Sequence, residues 1–172
     1  MKSNIKELGT IKLSNMVVIT DPCYDLGIWC QGIIGGVKAG IYDTYAIITN
    51  EGDWGERIAE LIIVKQGENP VFEKYSLGFA VGVDSGQAGI FDYDYFVKNQ
   101  PDNDFDNLES WYRRVCDITC SDEDCGVIDN LGVVASSGYG DGTYDCYAAF
   151  NDNFEVVGLR IVFIEDTDDD EN

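Results

Sequence analysis

The stretch "GTYDCYAAFNDNFEVVGLRIVFI", residues 142–164, decides the fold. From Thr143 to Phe150, the residues Tyr144, Cys146, Ala148 and Phe150 occupy every second position, and from Glu155 to Ile164 the residues Val157, Leu159, Ile161 and Phe163 do the same. A period of two places each set on one face of a β-strand, and "NDN" at 151–153 carries the residues of a tight turn. The segment therefore reads as an antiparallel hairpin with one apolar face.

Other segments have the same grammar of short apolar runs broken by turn residues. Met16 to Thr20 reads as a buried strand ended at Asp21-Pro22, because proline lacks a ladder donor and disfavours helix in the residue before it. A strand is expected over 41–48. "ERIAELIIVKQ" is ambiguous between helix and strand, and the β-branched run Ile62, Ile63, Val64 tips it to strand. Further strands are expected at Phe79 to Val83, 127–129 and 132–136. Helices are expected only at 93–98 and 107–118, the second placing Leu108, Trp111, Tyr112 and Val115 on one face with Asp106 or Asn107 as its cap. The fold class that follows is mainly β (α+β), an antiparallel β-sandwich or open barrel with two short helices. At 172 residues the chain suits a single globular domain over 1–164, followed by an acidic tail over 165–172.

Charge is the most informative bulk property. Eleven Lys and Arg against 32 Asp and Glu leave a net −21. Such a surface repels nucleic acid and attracts basic protein surfaces, including those built to hold nucleic acid. No apolar run approaches the length of a membrane span and the N-terminus lacks an apolar leader, so a cytoplasmic protein without membrane contact is expected. In that compartment the six cysteines are expected to be free thiols. Cys116, Cys120 and Cys125, with Cys23 or Cys30 as a fourth ligand, have spacings near those of zinc sites, but no C-x₂-C knuckle and no histidine accompany them.

Few motifs of catalysis are present. There is no histidine to serve as a base, no G-x-S-x-G elbow and no phosphate-binding loop, and no cofactor is expected. "DNDFDNLESWYRR" begins like a calcium loop, yet Asn107 replaces the required glycine and Arg113 the bidentate glutamate. Two readings of the carboxylates remain. In the first, the acidic residues Asp102, Asp104, Asp106, Glu109, Asp122, Glu123 and Asp124 meet a basic partner; between Pro101 and Asp129 nine acidic residues face only Arg113 and Arg114. In the second, Asp84, Asp92 and Asp141, in glycine-rich loops, converge as the carboxylates of a hydrolase or the ligands of a divalent metal. The alternative for those three is turn chemistry, in which a short carboxylate accepts local backbone N–H bonds.

The segments "TDPCYD", "GDWGERIAEL", "VGVDSGQAGIFD" and "SSGYGDGTYDCY" resemble those of small proteins encoded by Firmicutes and their phages. More loosely, they are similar to a broader bacterial domain of unknown function that pairs a "VDSG" turn with a later "GDG-x-Y". The resemblance spans most of residues 16–164. It transfers no activity to Asp84, Asp92 or Asp141, but it implies a phage or mobile-element setting. In such a setting an acidic protein that mimics nucleic acid and inhibits a host nucleic-acid-binding defence protein, such as a CRISPR nuclease, is the expected function.

Overall fold

The computed structural model describes residues 3–72, 76–99 and 102–166, with the backbone alone for Ser76. Of the expected acidic tail, Glu165 and Asp166 are exposed, and 167–172 lie outside the described residues. The fold is mainly β, with two antiparallel sheets and two helices, and neither sheet closes into a barrel.

The larger sheet has six strands: β1 (Ser3–Leu13), β4 (Gly40–Asn50), β5 (Glu56–Lys65), β6 (Ser76–Val83), β10 (Gly142–Phe150) and β11 (Val156–Val162). Their spatial order is β1-β4-β5-β11-β10-β6. The hairpin read from the sequence is β10–β11, with Cys146 opposite Ile161 and Ala148 opposite Leu159. These four side chains are fully buried. Asn151 closes the turn, its Oδ1 accepting the Asn153 and Glu155 N–H groups.

The second sheet contains β2 (Met16–Thr20), β3 (Gly32–Gly35), β7 (Gln87–Asp92), β8 (Cys125–Ile128) and β9 (Gly132–Ser136), ordered β3-β2-β7-β9-β8. It is the middle layer. Val17, Ile19, Ala88, Ile90, Val133 and Ala135 face the larger sheet and form the main core. Val18, Phe91 and Val134 face the other way, into a second core closed by Phe96 of α1 (Tyr93–Asn99) and by Trp111 and Val115 of α2 (Trp111–Thr119). Burial on both faces explains why β2 and β9 read as continuous apolar runs whereas β10 and β11 alternate.

The expected second helix starts later than the periodicity suggested. Ser110, rather than Asp106 or Asn107, is its cap, accepting the Arg113 N–H at 3.2 Å, so Leu108 precedes the helix and is exposed. Strand β7 is a further difference. Its glycines made "DSGQAGIFD" look like a turn, yet Gln87–Asp92 is wholly buried and pairs with both β2 and β9.

Candidate functional site

The loops quoted from the sequence meet at one end of β7, and Asp21 is their hub. It is fully buried. Its Oδ2 accepts the backbone N–H groups of Asp84 and Ser85, both at 2.8 Å, while Oδ1 accepts the Ser85 hydroxyl at 2.7 Å and the Cys23 N–H at 2.8 Å. From the opposite side, Asp141 Oδ1 accepts the Gly86 N–H at 2.8 Å. Gly86 has φ +69°, a left-handed conformation that glycine adopts without strain. Two carboxylates thus hold the turn between β6 and β7 by its backbone. Trp111 Nε1 donates to the Pro22 carbonyl at 2.7 Å and ties α2 to the same loop.

Asp141 bonds the turn that carries Asp84, and both charges act on Tyr24. Burial, followed by the charges of Asp21, Asp84 and Asp141, raises the Tyr24 hydroxyl above its ordinary pKa. Asp92 stands at the far end of β7, about 17 Å away by the rise of a strand. There its Oδ2 accepts the Ser14 N–H at 2.8 Å and its Oδ1 the Tyr95 N–H at the start of α1. Among the described residues, no group of three or more Cys, Asp or Glu side chains is arranged to hold a metal ion.

All six cysteines are free. Gln87, buried at the start of β7, directs Nε2 toward both Cys23 Sγ and Cys116 Sγ, each at 3.5 Å, and accepts the Thr119 hydroxyl on Oε1 at 2.7 Å. Cys125 is buried in the main core and Cys120 is exposed after α2. Burial, with Asp21 and Cys116 adding to it, pushes the Cys23 thiol up to about 12, and burial pushes Cys125 up to about 11.

The acidic residues form two groups, one at each end of α2. Asp102, Asp104, Asp106 and Glu109 precede it, and Asp122, Glu123 and Asp124 follow it. Six of the seven are exposed and Asp124 is half-buried. Before the helix, Ser110 donates to the Asp104 carbonyl, Asp104 Oδ1 accepts the Asp106 N–H, and Tyr112 N–H bonds the Asp102 carbonyl, so backbone bonds fix the loop. The two nearby arginines are committed elsewhere. Arg114 pairs with Asp129, and Arg113 with Asp117 at 3.1 Å while lying over the Phe105 ring. Lys6 pairs with Glu123. Among the described residues, no cation pairs with the carboxylates of Asp102, Asp104, Asp106, Glu109 or Asp122. Phe105 and Leu108 are exposed within the same loop.

The sequence singled out Asp84 and Asp141 but not Asp21 or Gln87, residues that organise the cluster, and it offered Ser85 only as part of a turn. The one signal for Asp21 was its place before Pro22, read only as the end of a strand. No family model matches the chain, and no curated protein or solved structure is significantly similar to it. No helix among the described residues is long and apolar enough to cross a membrane.

Proposed function

We propose that the protein acts through its charge, as an acidic binding protein that occupies the nucleic-acid-binding surface of a basic partner. The observation that carries this reading is the pair of exposed carboxylate groups flanking α2, set on an ordered loop with few neutralising cations. Duplex DNA offers about one negative charge per 1.7 Å of axis, so a surface that binds it is lined with cations that a fixed row of carboxylates can meet instead. Phe105 and Leu108 add apolar contact area at the centre of the first group, where interface energy concentrates. The finer assignment, an inhibitor carried by a phage or mobile element and aimed at a host defence protein such as a CRISPR nuclease, is the biological form of the same chemistry.

The loop cluster supports this reading by what it consumes. Asp21 and Asp141 are engaged with backbone donors, which is the work of a structural latch. A hydrolase needs two carboxylates facing a substrate, one to donate and one to accept a proton or attack.

The test is to immobilise the protein, pass a bacterial lysate over it, and elute with rising salt or with duplex DNA. Retained proteins that are predominantly nucleic-acid binders, released by either eluant, are the expected result. Retention indifferent to both salt and DNA would contradict the proposal.

A further inference from the structure

Two thiols from distant parts of the chain share one hydrogen-bond donor. Cys23 lies in the loop after β2 and Cys116 within α2. Gln87 Nε2 reaches the Sγ of each at 3.5 Å, so the two sulfurs lie within twice that distance of each other. Tyr112 reports the same closeness. The charge of Cys116 and a hydrogen bond to it raise the Tyr112 hydroxyl first, and burial, Cys23 and Cys120 add to the rise. The backbone is tied at this point, since Trp111 Nε1 donates to the carbonyl of Pro22, the residue before Cys23. The remaining thiols are placed differently. Cys30, Cys125 and Cys146 direct their sulfurs to the backbone carbonyls of Ala80, Glu123 and Tyr144, and Cys120 is exposed after the helix.

We propose that Cys23 and Cys116 form a reversible disulfide when the protein meets a hydroperoxide, fastening α2 to the loop after β2. Both thiols are half-buried, so a small oxidant reaches them while a second protein molecule does not. Sulfur is a weak acceptor, and the Gln87 nitrogen therefore gives up little when it leaves the space between them. The Cys116 thiolate takes the terminal oxygen of hydrogen peroxide; the O–O bond breaks, and the departing hydroxide becomes water with the proton that the thiol lost. Cys23, its own proton released to solvent, then attacks the sulfur of the Cys116 sulfenic acid. The S–S bond forms, the S–O bond breaks, and hydroxide leaves to take up that proton as a second water. In all, two thiols lose two hydrogens and the peroxide is reduced to two waters. The order of the steps follows from burial, which is the main cause holding the Cys23 thiol protonated, with its pKa raised to about 12, so that Cys116 reacts first and Cys23 resolves it. The bond stands independently of any partner, and it secures the helix whose ends carry the two acidic groups.

The test is to treat the reduced full chain with hydrogen peroxide, block the remaining thiols with iodoacetamide, and map the peptides by mass spectrometry. Digestion at aspartates separates Cys116 from Cys120 at Asp117. The expected product is a monomer lighter by two hydrogen atoms, in which the peptides of Cys23 and Cys116 are joined and are parted again by dithiothreitol. The same treatment in urea, where the folded placement is lost, should scatter the links among the six cysteines. In Cys23→Ser the Cys116 sulfenic acid should persist and be trapped by dimedone, and Cys120→Ser should leave the link intact, with folding of both variants followed by circular dichroism. Four outcomes would overturn the proposal: no Cys23–Cys116 pair in the treated wild-type chain, Cys116 joined instead to Cys120, a link between two copies of the chain, or an equal yield of the pair in urea. Because all four are read on the wild-type chain, the test survives a variant that fails to fold.

Discussion

Asp21 shows how much a single carboxylate can organise. Removing it leaves the part-buried N–H groups of Cys23, Asp84 and Ser85 without their acceptor inside the fold, and a donor so orphaned costs about 1–3 kcal/mol where water does not reach it. Asp21→Ala should therefore lower stability by about 2 kcal/mol or more, read as a shift in the urea midpoint. Asp141 is exposed, and Asn keeps an oxygen to accept the Gly86 N–H, so Asp141→Asn should cost about 1 kcal/mol or less. If Asp141→Asn were the more damaging, the latch would be assigned to the wrong residue. The thiols make a second test at this scale. With its pKa raised to about 12, Cys23 carries about one thiolate in ten thousand at pH 8, and its alkylation should accelerate as the pH climbs toward that value. Peptide mapping after iodoacetamide treatment at pH 8 should find exposed Cys120 modified first and Cys23, Cys125 and Cys146 last. Early modification of Cys23 would mean that its loop opens.

Among the elements, β7 is the informative case. A Cβ on Gly89 would stand 2.6 Å from the Val133 carbonyl oxygen and 2.4 Å from the Phe91 ring, so this glycine is a packing requirement rather than a turn signal. Gly89→Ala should destabilise by about 2–3 kcal/mol through overpacking, again measured in urea, and a neutral result would show that Phe91 can move aside. The sequence reading of β7 failed for this reason. Glycine in a strand marks close approach as well as turning, and only the ring lying over it distinguishes the two. Hairpin β10–β11 was legible because its strands are half-covered and alternate. Strands β1 and β3 were missed, since β1 is largely exposed over Ser3–Glu7 and β3 is four residues punctuated by glycine. The late start of α2 has a local cause: Ser110 competes with Asp106 and Asn107 for the cap, and spacing alone does not rank them. Asp21 was illegible as a hub because its partners lie 63 and 64 residues along the chain.

At the scale of the whole molecule, the net −21 was plain from composition, whereas its placement was not. Folding sets two acidic groups at the ends of one nine-residue helix and directs Arg114 to Asp129 and Arg113 to Asp117, leaving most of the carboxylates facing solvent. Negative charge spread this way is expected to make partner binding steeply salt-dependent, since association with a basic surface weakens as the charges are screened. The two readings of the carboxylates separate in one comparison. Two variants are measured against a partner recovered from the lysate, at low and physiological salt, with urea stability followed in parallel. The first carries Asp102→Asn, Asp104→Asn, Asp106→Asn, Glu109→Gln, Asp122→Asn, Glu123→Gln and Asp124→Asn; the second carries Asp84→Asn, Asp92→Asn and Asp141→Asn. Loss of affinity and of its salt dependence in the first, with stability unchanged and with binding retained in the second, is the predicted result. Full affinity in the first and loss in a folded second would contradict it.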